Sequence, residues 1–161
     1  MKILFVVAHP ADLIDQSGGV IRNHILAGHD VYTLSVTHGK YSHPPPLTEN
    51  YKNLLTTRYK VEEVKEGLDI LGVEEKRMHF MDKDDALYLR NDYISNFPMT
   101  LCRDIAFHIQ NVKPDILVTH HPSELNHPDH AKIGKWTLEA ITAASRLVDR
   151  LYYGADAYQP H

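Results

Sequence analysis

The chain has 161 residues, of which 43% are hydrophobic and 24% are charged, which is the size and composition of an ordinary globular domain. The formal net charge of −4 is spread along the chain, and it argues against nucleic acid as a partner because a phosphate backbone requires a basic surface. No segment has the roughly 18 uninterrupted apolar residues of a membrane span. A lone Cys102 is typical of a reducing compartment, and we expect a cytoplasmic protein.

Short apolar runs alternate with longer segments of helical spacing along the chain. Runs rich in β-branched residues predict five strands, at Lys2–Ala8, Val31–Thr37, Arg77–Met81, Asp115–His120 and Leu151–Ala155. Helical spacing predicts helices at Gly18–Ala27, Tyr51–Leu71, Ile94–Val112 and Asp129–Val148. This order predicts a Rossmann-like, doubly wound α/β fold, with a mostly parallel sheet and helices on both faces. We expect residues 1–161 to form a single domain, since no linker or repeat divides them.

Histidine is unusually frequent, with 12 residues against 8 glycines, and imidazole is the commonest metal ligand in proteins. Many of the histidines follow predicted strands, at the edge where the loops of a parallel sheet bind ligands. These segments are His9-Pro10-Ala11-Asp12, Thr37-His38-Gly39, Thr119-His120-His121-Pro122 and Asn126-His127-Pro128-Asp129-His130. A His and an Asp three residues apart, joined by a His from another loop, predict a zinc site with one position open for water or substrate.

The order of these motifs resembles that of the PIG-L/LmbE-like zinc-dependent deacetylases over nearly the whole chain. The resemblance also rests on Gly18-Gly19, on the joints at Gly28–Val31 and Leu71–Val73, and on Lys113-Pro114-Asp115. It implies a hydrolase that removes an acyl (acetyl) group from an N-acylated, sugar-like or other polar small molecule. The bond cleaved would be a linear amide, and a zinc-bound water would be the nucleophile. By position, the resemblance implies that Zn²⁺ is bound by His9, Asp12 and His130.

The resemblance also implies roles for residues around the metal. His127 would protonate the leaving amine or steady the tetrahedral oxyanion, and Asp129 would orient it. Ala11 departs from the family pattern, which has an aspartate there as the general base that takes a proton from water. The substitute base could be Asp15, three residues beyond Asp12, or His127 itself.

Two other interpretations of Ala11 stay open. A branch of the same superfamily, similar to 4-oxalomesaconate hydratase, also carries alanine at this position and adds water across a carbon–carbon double bond of an unsaturated oxo-acid. The complete His127-Pro128-Asp129-His130 motif favours the deacetylases instead, because the hydratase branch lacks a histidine where His127 stands. Alternatively, the chain is a metal-binding relative with a disabled catalytic site.

Three residues are predicted to contact a small-molecule substrate. His38 and His121 follow strands on the active edge, and the resemblance implies a substrate-contacting arginine in the helix that contains Arg58. The resemblance also implies that further strands and a helix follow the run at Leu151–Ala155, and the sequence leaves open whether the chain forms a homo-oligomer. Histidines on predicted helix faces or at strand starts are interpreted as structural: His24, His29, His79 and His108.

Overall fold

Strands and helices alternate through the structure, a computed structural model that describes residues 1–39, 57–83 and 97–152. The first range contains β1 (Lys2–Val7), α1 (Asp12–Asp15), α2 (Gly18–Leu26) and β2 (Asp30–Thr37). The second contains α3 (Thr57–Leu71), a 3₁₀ turn (Glu75–Arg77) and β3 (Met78–Lys83). The third contains α4 (Phe97–Val112), β4 (Ile116–Thr119) and α5 (Pro128–Tyr152). Within these ranges, no helix is long and apolar enough to cross a membrane.

The four strands form one sheet in the order β3-β2-β1-β4, and every neighbouring pair is parallel. In this register Ile3 of β1 lies opposite Val31 of β2 on one side and Ile116 of β4 on the other. The carboxyl ends of the strands therefore meet at one edge of the sheet. The predicted doubly wound α/β fold is confirmed.

The central strand β1 is buried on both faces because its side chains point alternately to two layers of helices. One layer, formed by α1, α2 and α3, packs against Ile3, Phe5 and Val7. The other layer, formed by α4 and α5, packs against Leu4, Val6 and Ala8. This double burial explains why β1 is a continuous apolar run and not an alternating one, and it holds the carboxyl end of β1 rigidly between the two cores.

One predicted strand is wrong in its described part. Leu151 and Tyr152 belong to α5, which runs on from Pro128 without a break, although we expected a fifth strand at Leu151–Ala155. No glycine or proline occurs between Lys135 and Tyr153 to end the helix. The rest of this run, 153–155, and the predicted helix starts at 51–56 and 94–96 lie outside the described residues. The short helix α1 was not predicted.

Candidate metal centre

A tight turn at the end of β1 brings His9 and Asp12 together. The amide N–H of Asp12 donates to the carbonyl oxygen of His9 at 3.2 Å, so the chain reverses direction as α1 begins. The carboxylate of Asp12 then reaches back, and its Oδ2 accepts the N–H of His9 at 2.8 Å. The two side chains lie at the carboxyl edge of the sheet, between β1 and its neighbours.

The Oδ2 atom of Asp12 is surrounded by imidazole nitrogens from three segments of the chain. It lies 3.3 Å from Nδ1 of His9, 3.3 Å from Nε2 of His120 and 3.4 Å from Nε2 of His130. These histidines come from the end of β1, the end of β4 and the first turn of α5. All four side chains are at least nine-tenths buried, so the cluster is enclosed by the fold and is not a group of surface residues.

The surroundings of Asp12 keep its carboxyl group ionised. Burial by itself would raise the pKa of Asp12, but the contacts with His120, His130 and His9, and the backbone N–H of His9, hold that pKa well below its usual range. A buried carboxylate with this environment is an anionic ligand at any physiological pH. It needs a positive charge nearby to balance it.

Two distances from Oδ2 of Asp12 match the spacing of neighbouring zinc ligands, as the predicted set of His9, Asp12 and His130 requires. Zinc bonds of about 2.0–2.1 Å in tetrahedral geometry separate neighbouring ligand atoms by about 3.3–3.4 Å, and Oδ2 lies at 3.3 and 3.4 Å from the nitrogens of His9 and His130. The same geometry separates the centroids of two ligating imidazoles by about 5 Å. The rings of His9 and His130 are 5.3 Å apart and tilted by 52°.

His120 and His127 also lie within reach, because the ligand atoms of Asp12, His120 and His130, and those of His9, His127 and His130, approach within 4.8 Å of one another. Both rings, however, stack on His130. Their centroids lie 3.9 and 4.5 Å from it, with interplanar angles of 10° and 19°. A metal lies in the plane of each imidazole that ligates it, and two nearly parallel planes do not meet within bonding distance. Neither ring can therefore share one ion with His130 in this arrangement.

Asp129 contacts the opposite nitrogen of His9. Its Oδ2 lies 3.4 Å from Nε2 of His9, and both side chains are almost fully buried. A carboxylate behind a ligating imidazole fixes the tautomer and the orientation of the ring. The resemblance implied that Asp129 orients His127; the contact observed here instead supports an orienting role toward His9, and the role toward His127 stays a prediction.

The ring of His127 lies against two histidines of the cluster. Its centroid is 4.6 Å from that of His9 in a T-shaped contact, and it stacks on His130. Burial is the main cause that lowers the pKa of His127, and the neighbouring His9 and His130 lower it further. Its Nδ1 atom is buried without a hydrogen-bond partner, so this nitrogen is not engaged by the described residues.

Ala11 stands where the family has its general base, and Asp15 is one of the predicted substitutes. Ala11 is half-buried and offers only a methyl group next to Asp12. Asp15 lies at the other end of α1 and is exposed, and its N–H donates to the carbonyl oxygen of Ala11 at 2.9 Å. The structure does not bring Asp15 into the groups of metal-ligating side chains found in the described residues. Its role as a base stays a prediction.

The three predicted substrate contacts lie on different elements. His38 follows β2, and its N–H donates to the carbonyl oxygen of Lys83 at 2.9 Å. His121 is exposed, and its Nδ1 accepts the N–H of Ser123 at 3.1 Å. Arg58 belongs to the first turn of α3, but its side chain lies outside the described residues.

Sequence reasoning missed the part of His120 in the cluster. The sequence predicts His121 as the functional residue of the Thr119-His120-His121-Pro122 segment, whereas the structure places His120 against Asp12. The place of His120 in the sequence could have identified it, because His120 is the first residue after β4. The first residue beyond a strand lies nearer the sheet edge than the exposed residue that follows it.

The fold and the cluster together define a class of protein. Its members are α/β proteins that carry a buried carboxylate and several imidazoles at the carboxyl edge of a parallel sheet, where a metal ion can bind beside the central strand. Residues 4–141 match the family model of PIG-L, GlcNAc-PI de-N-acetylase. The chain belongs to this family, and the resemblance drawn from its motifs is confirmed.

Named relatives include the 1D-myo-inositol 2-acetamido-2-deoxy-alpha-D-glucopyranoside deacetylase of Kineococcus radiotolerans, 25% identical over 98% of this chain and 49% of the relative. The structure of N,N′-diacetylchitobiose deacetylase from Pyrococcus horikoshii has a TM-score of 0.66 at 20% identity, covering 92% of this chain and 54% of that one. The 4-carboxy-2-hydroxymuconate hydratase from Pseudomonas putida has a TM-score of 0.67 at 22% identity, covering 87% and 55%. The chain thus spans about half the length of these proteins, and the two structures show its fold.

Proposed function

We propose that the chain is a zinc-dependent hydrolase that removes the acetyl group from an N-acetylated, sugar-like small molecule. One observation carries the proposal: a buried carboxylate oxygen of Asp12 lies 3.3–3.4 Å from ring nitrogens of His9 and His130, the spacing of neighbouring zinc ligands. Membership of the de-N-acetylase family supports the reaction class. The relatives that are named as deacetylases act on acetamido sugars, which supports the substrate class.

His9, Asp12 and His130 would hold the zinc ion, and these three ligands leave a position for water and the substrate carbonyl. When bound, the zinc would supply the positive charge that polarises the acyl carbonyl and acidifies water. Asp129 would keep the ring of His9 oriented from behind, at the 3.4 Å contact described above.

His127 would handle the protons of the reaction. In amide hydrolysis the water oxygen bonds to the carbonyl carbon, the carbon–nitrogen bond breaks, and a proton must move from the water to the leaving nitrogen. Burial lowers the pKa of His127, so the imidazole is neutral near pH 7 and can accept that proton at Nδ1. It can then return the proton to the amine, a cycle that needs no carboxylate at the position of Ala11.

His38, His121 and Arg58 are proposed as substrate contacts, because His38 and His121 follow strands at the edge where the cluster lies and the resemblance implies an arginine in the helix of Arg58. The substrate is proposed only as a chemical class, because the chain spans about half the length of its named relatives. The polar side chains of His38 and His121 suit a polar, hydroxyl-rich N-acetylated aminosugar.

Acetate release from a panel of N-acetylated aminosugars by the zinc-loaded protein tests the proposal. We expect release that a chelator abolishes and that His127→Gln lowers by about 10²- to 10⁴-fold, the usual contribution of a general acid–base group. The Ala11→Asp variant, which restores the family base, should be at least as active as the unaltered chain. Full zinc occupancy without acetate release from any substrate would overturn the proposal.

A zinc-dependent hydratase of an unsaturated oxo-acid is the second candidate. Ala11 favours it, because the hydratase-like branch carries alanine at this position, and the fold is shared with a 4-carboxy-2-hydroxymuconate hydratase. Loss of the absorbance of a conjugated oxo-acid on addition of the zinc-loaded protein would support hydration. Zinc binding without turnover of either substrate class would instead identify a metal-binding relative with a disabled site.

A further inference from the structure

The side chain of His120 touches three parts of the metal centre although it does not fit as a ligand. Its Nε2 accepts the N–H of Ala8 at 3.0 Å, and its ring stacks on that of His130 at 3.9 Å. The same Nε2 lies 3.3 Å from Oδ2 of Asp12, and the side chain is only 7% exposed. His120 therefore borders two proposed ligands, and it also holds the residue that precedes the third.

Hydrogen bonding leaves Nε2 of His120 without a lone pair for a metal. A backbone N–H can only donate, and an imidazole nitrogen has a single lone pair, so the bond from Ala8 uses it. Oδ2 of Asp12 lies 3.3 Å from the same nitrogen, so the ring of His120 also packs against the carboxylate. This bond and the parallel stacking on His130 indicate that His120 supports the proposed ligands and does not bind the metal itself.

Ala8 is held from both neighbouring strands. Its carbonyl oxygen accepts both the N–H and the Oγ1 hydroxyl of Thr37, each at 2.8 Å. On the other side, the last residue pair between β1 and β4 is Val6 with Thr119, so the ring of His120 supplies an acceptor for Ala8 beyond the end of this pairing. The position of His9, the next residue, is set by these bonds.

The backbone of His120 is held as closely as its ring. A Cβ atom built on Gly134 of α5 would overlap the carbonyl oxygen of His120 and would lie 3.0 Å from the carbonyl carbons of His120 and His121. Only glycine allows α5 to approach the end of β4 so closely. Gly134 is one helical turn beyond His130, so this approach also sets how the rings of His120 and His130 meet.

We infer that His120 is a positioning residue of the metal centre, which fixes His9 through the N–H of Ala8 and orients the ring of His130 by stacking. Gly134 sets the distance between β4 and α5 at which both contacts form. The inference rests on the proposed zinc site, but it concerns how the ligands are held and not which substrate is cleaved.

The test compares two variants that each keep one half of the side chain. His120→Gln retains an acceptor near the position of Nε2 and loses the ring, whereas His120→Phe retains a ring and loses the acceptor. Zinc affinity is measured by competition with a chromophoric chelator, and the ligand set is read from the absorption spectrum of the cobalt(II)-substituted protein. His24→Gln and His24→Phe, on α2 at a distance from the cluster in sequence and fold, are the matched controls.

We expect His120→Phe to weaken zinc binding by about 10- to 100-fold, as the loss of a supporting contact does, and His120→Gln to recover most of it. The cobalt(II) band positions should be the same in His120→Gln and the unaltered protein, since the ligands do not change. Gly134→Ala leaves His120 intact and should also weaken zinc binding. It is measured in place of any His120 variant that does not fold.

Three results would overturn the inference. A changed cobalt(II) spectrum in His120→Gln would make His120 a ligand, and equal zinc affinity in all variants would deny it any role in positioning. Failure of the unaltered protein to bind zinc would remove both this inference and the proposed function. Normal zinc binding with no acetate release would remove only the proposed function, because the comparison of variants depends on affinity alone.

Discussion

Nε2 of His9 lies 3.4 Å from Oδ2 of Asp129, a residue 120 positions further along the chain. Nδ1 of the same ring faces Asp12 at 3.3 Å. The imidazole is thus held between two carboxylates, one that would share its metal and one behind it. This arrangement joins the end of β1 to the first turn of α5, and it leaves the ring little freedom to rotate.

Asp129→Asn should weaken zinc binding by about 10- to 100-fold, the usual cost of losing a carboxylate behind a ligating histidine. The amide has the same shape, but it lacks the charge that makes the ring of His9 a better ligand. Zinc affinity is measured by chelator competition at constant pH. Asp115→Asn is the control, because Asp115 is an exposed carboxylate that accepts the N–H of Lys2 at 2.7 Å, far from the cluster in the fold. Equal losses in both variants would contradict the prediction.

Zinc should stabilise the protein only while Asp12 is a carboxylate. A ligand at 100 times its Kd adds about 2.7 kcal/mol to the free energy of unfolding, which calorimetry records as a rise in Tm. In Asp12→Asn the rise should disappear, because the neutral amide does not balance the charge of the ion. Asp15→Asn, at the exposed end of the same short helix, should keep the rise, and a chelator should reverse it. A full rise in Asp12→Asn would contradict the ligand assignment.

The histidine pair formed by His79 of β3 and His108 of α4 should make stability depend on pH. Their ring centroids are 5.2 Å apart, burial lowers the pKa of each, and His79 lowers that of His108 further. Because both pKa values lie below the ordinary 6.5 in the folded state, the unfolded chain takes up protons first as the pH falls. The stability that these neutral rings allow is therefore present above about pH 6.5 and decreases below it.

Replacing His108 by Gln should reduce that loss. Denaturant unfolding between about pH 8 and pH 5.5 measures the free energy of unfolding of the variant and of the unaltered protein, and their difference should change with pH. His24→Gln, on α2, should follow the unaltered protein. An identical pH dependence in His108→Gln would show that proton uptake by this pair does not affect folding.

Cys102 should react slowly with thiol reagents. Burial raises the pKa of its thiol to about 12, and the charge of Glu139, whose carboxylate accepts the S–H at 3.6 Å, acts in the same direction. Only the thiolate is nucleophilic, so at pH 8 the reaction should be slower than in the unfolded chain by on the order of 10³-fold. Glu139→Gln should speed the reaction of the folded protein, and an unchanged rate would contradict the role of Glu139.

Much of the fold follows from local sequence patterns. The apolar run of β1 predicted a strand buried on both faces, and the alternation of strands and helices predicted a parallel sheet, because parallel strands need crossover helices. The polar segments at the carboxyl ends of these strands predicted a cluster at one edge. The structure brings His9, Asp12, His127, Asp129 and His130 together there, although their chemical roles stay predictions.

Other features depend on how distant segments meet. The run at Leu151–Ala155 has the composition of a strand, but the helix that begins at Pro128 continues through its first two residues, since no helix-breaking residue precedes them. The extent of the domain also stays a prediction, because the chain spans about half the length of its relatives. His120 and His121 are adjacent histidines after the same strand, and only tertiary packing makes one ring buried and the other exposed.

Hydrophobic periodicity and motif spacing are local properties of the chain, so they predict the fold class, the family and the residue types of the candidate metal centre. Packing between distant segments sets which imidazoles converge on Asp12, that Asp129 lies behind His9, and that His120 accepts the N–H of Ala8 and stacks on His130. These relationships are set by the register between β1 and β4 and by the close approach of Gly134 to the end of β4. Both arise from packing between residues more than 100 positions apart or on different elements, which no local pattern records.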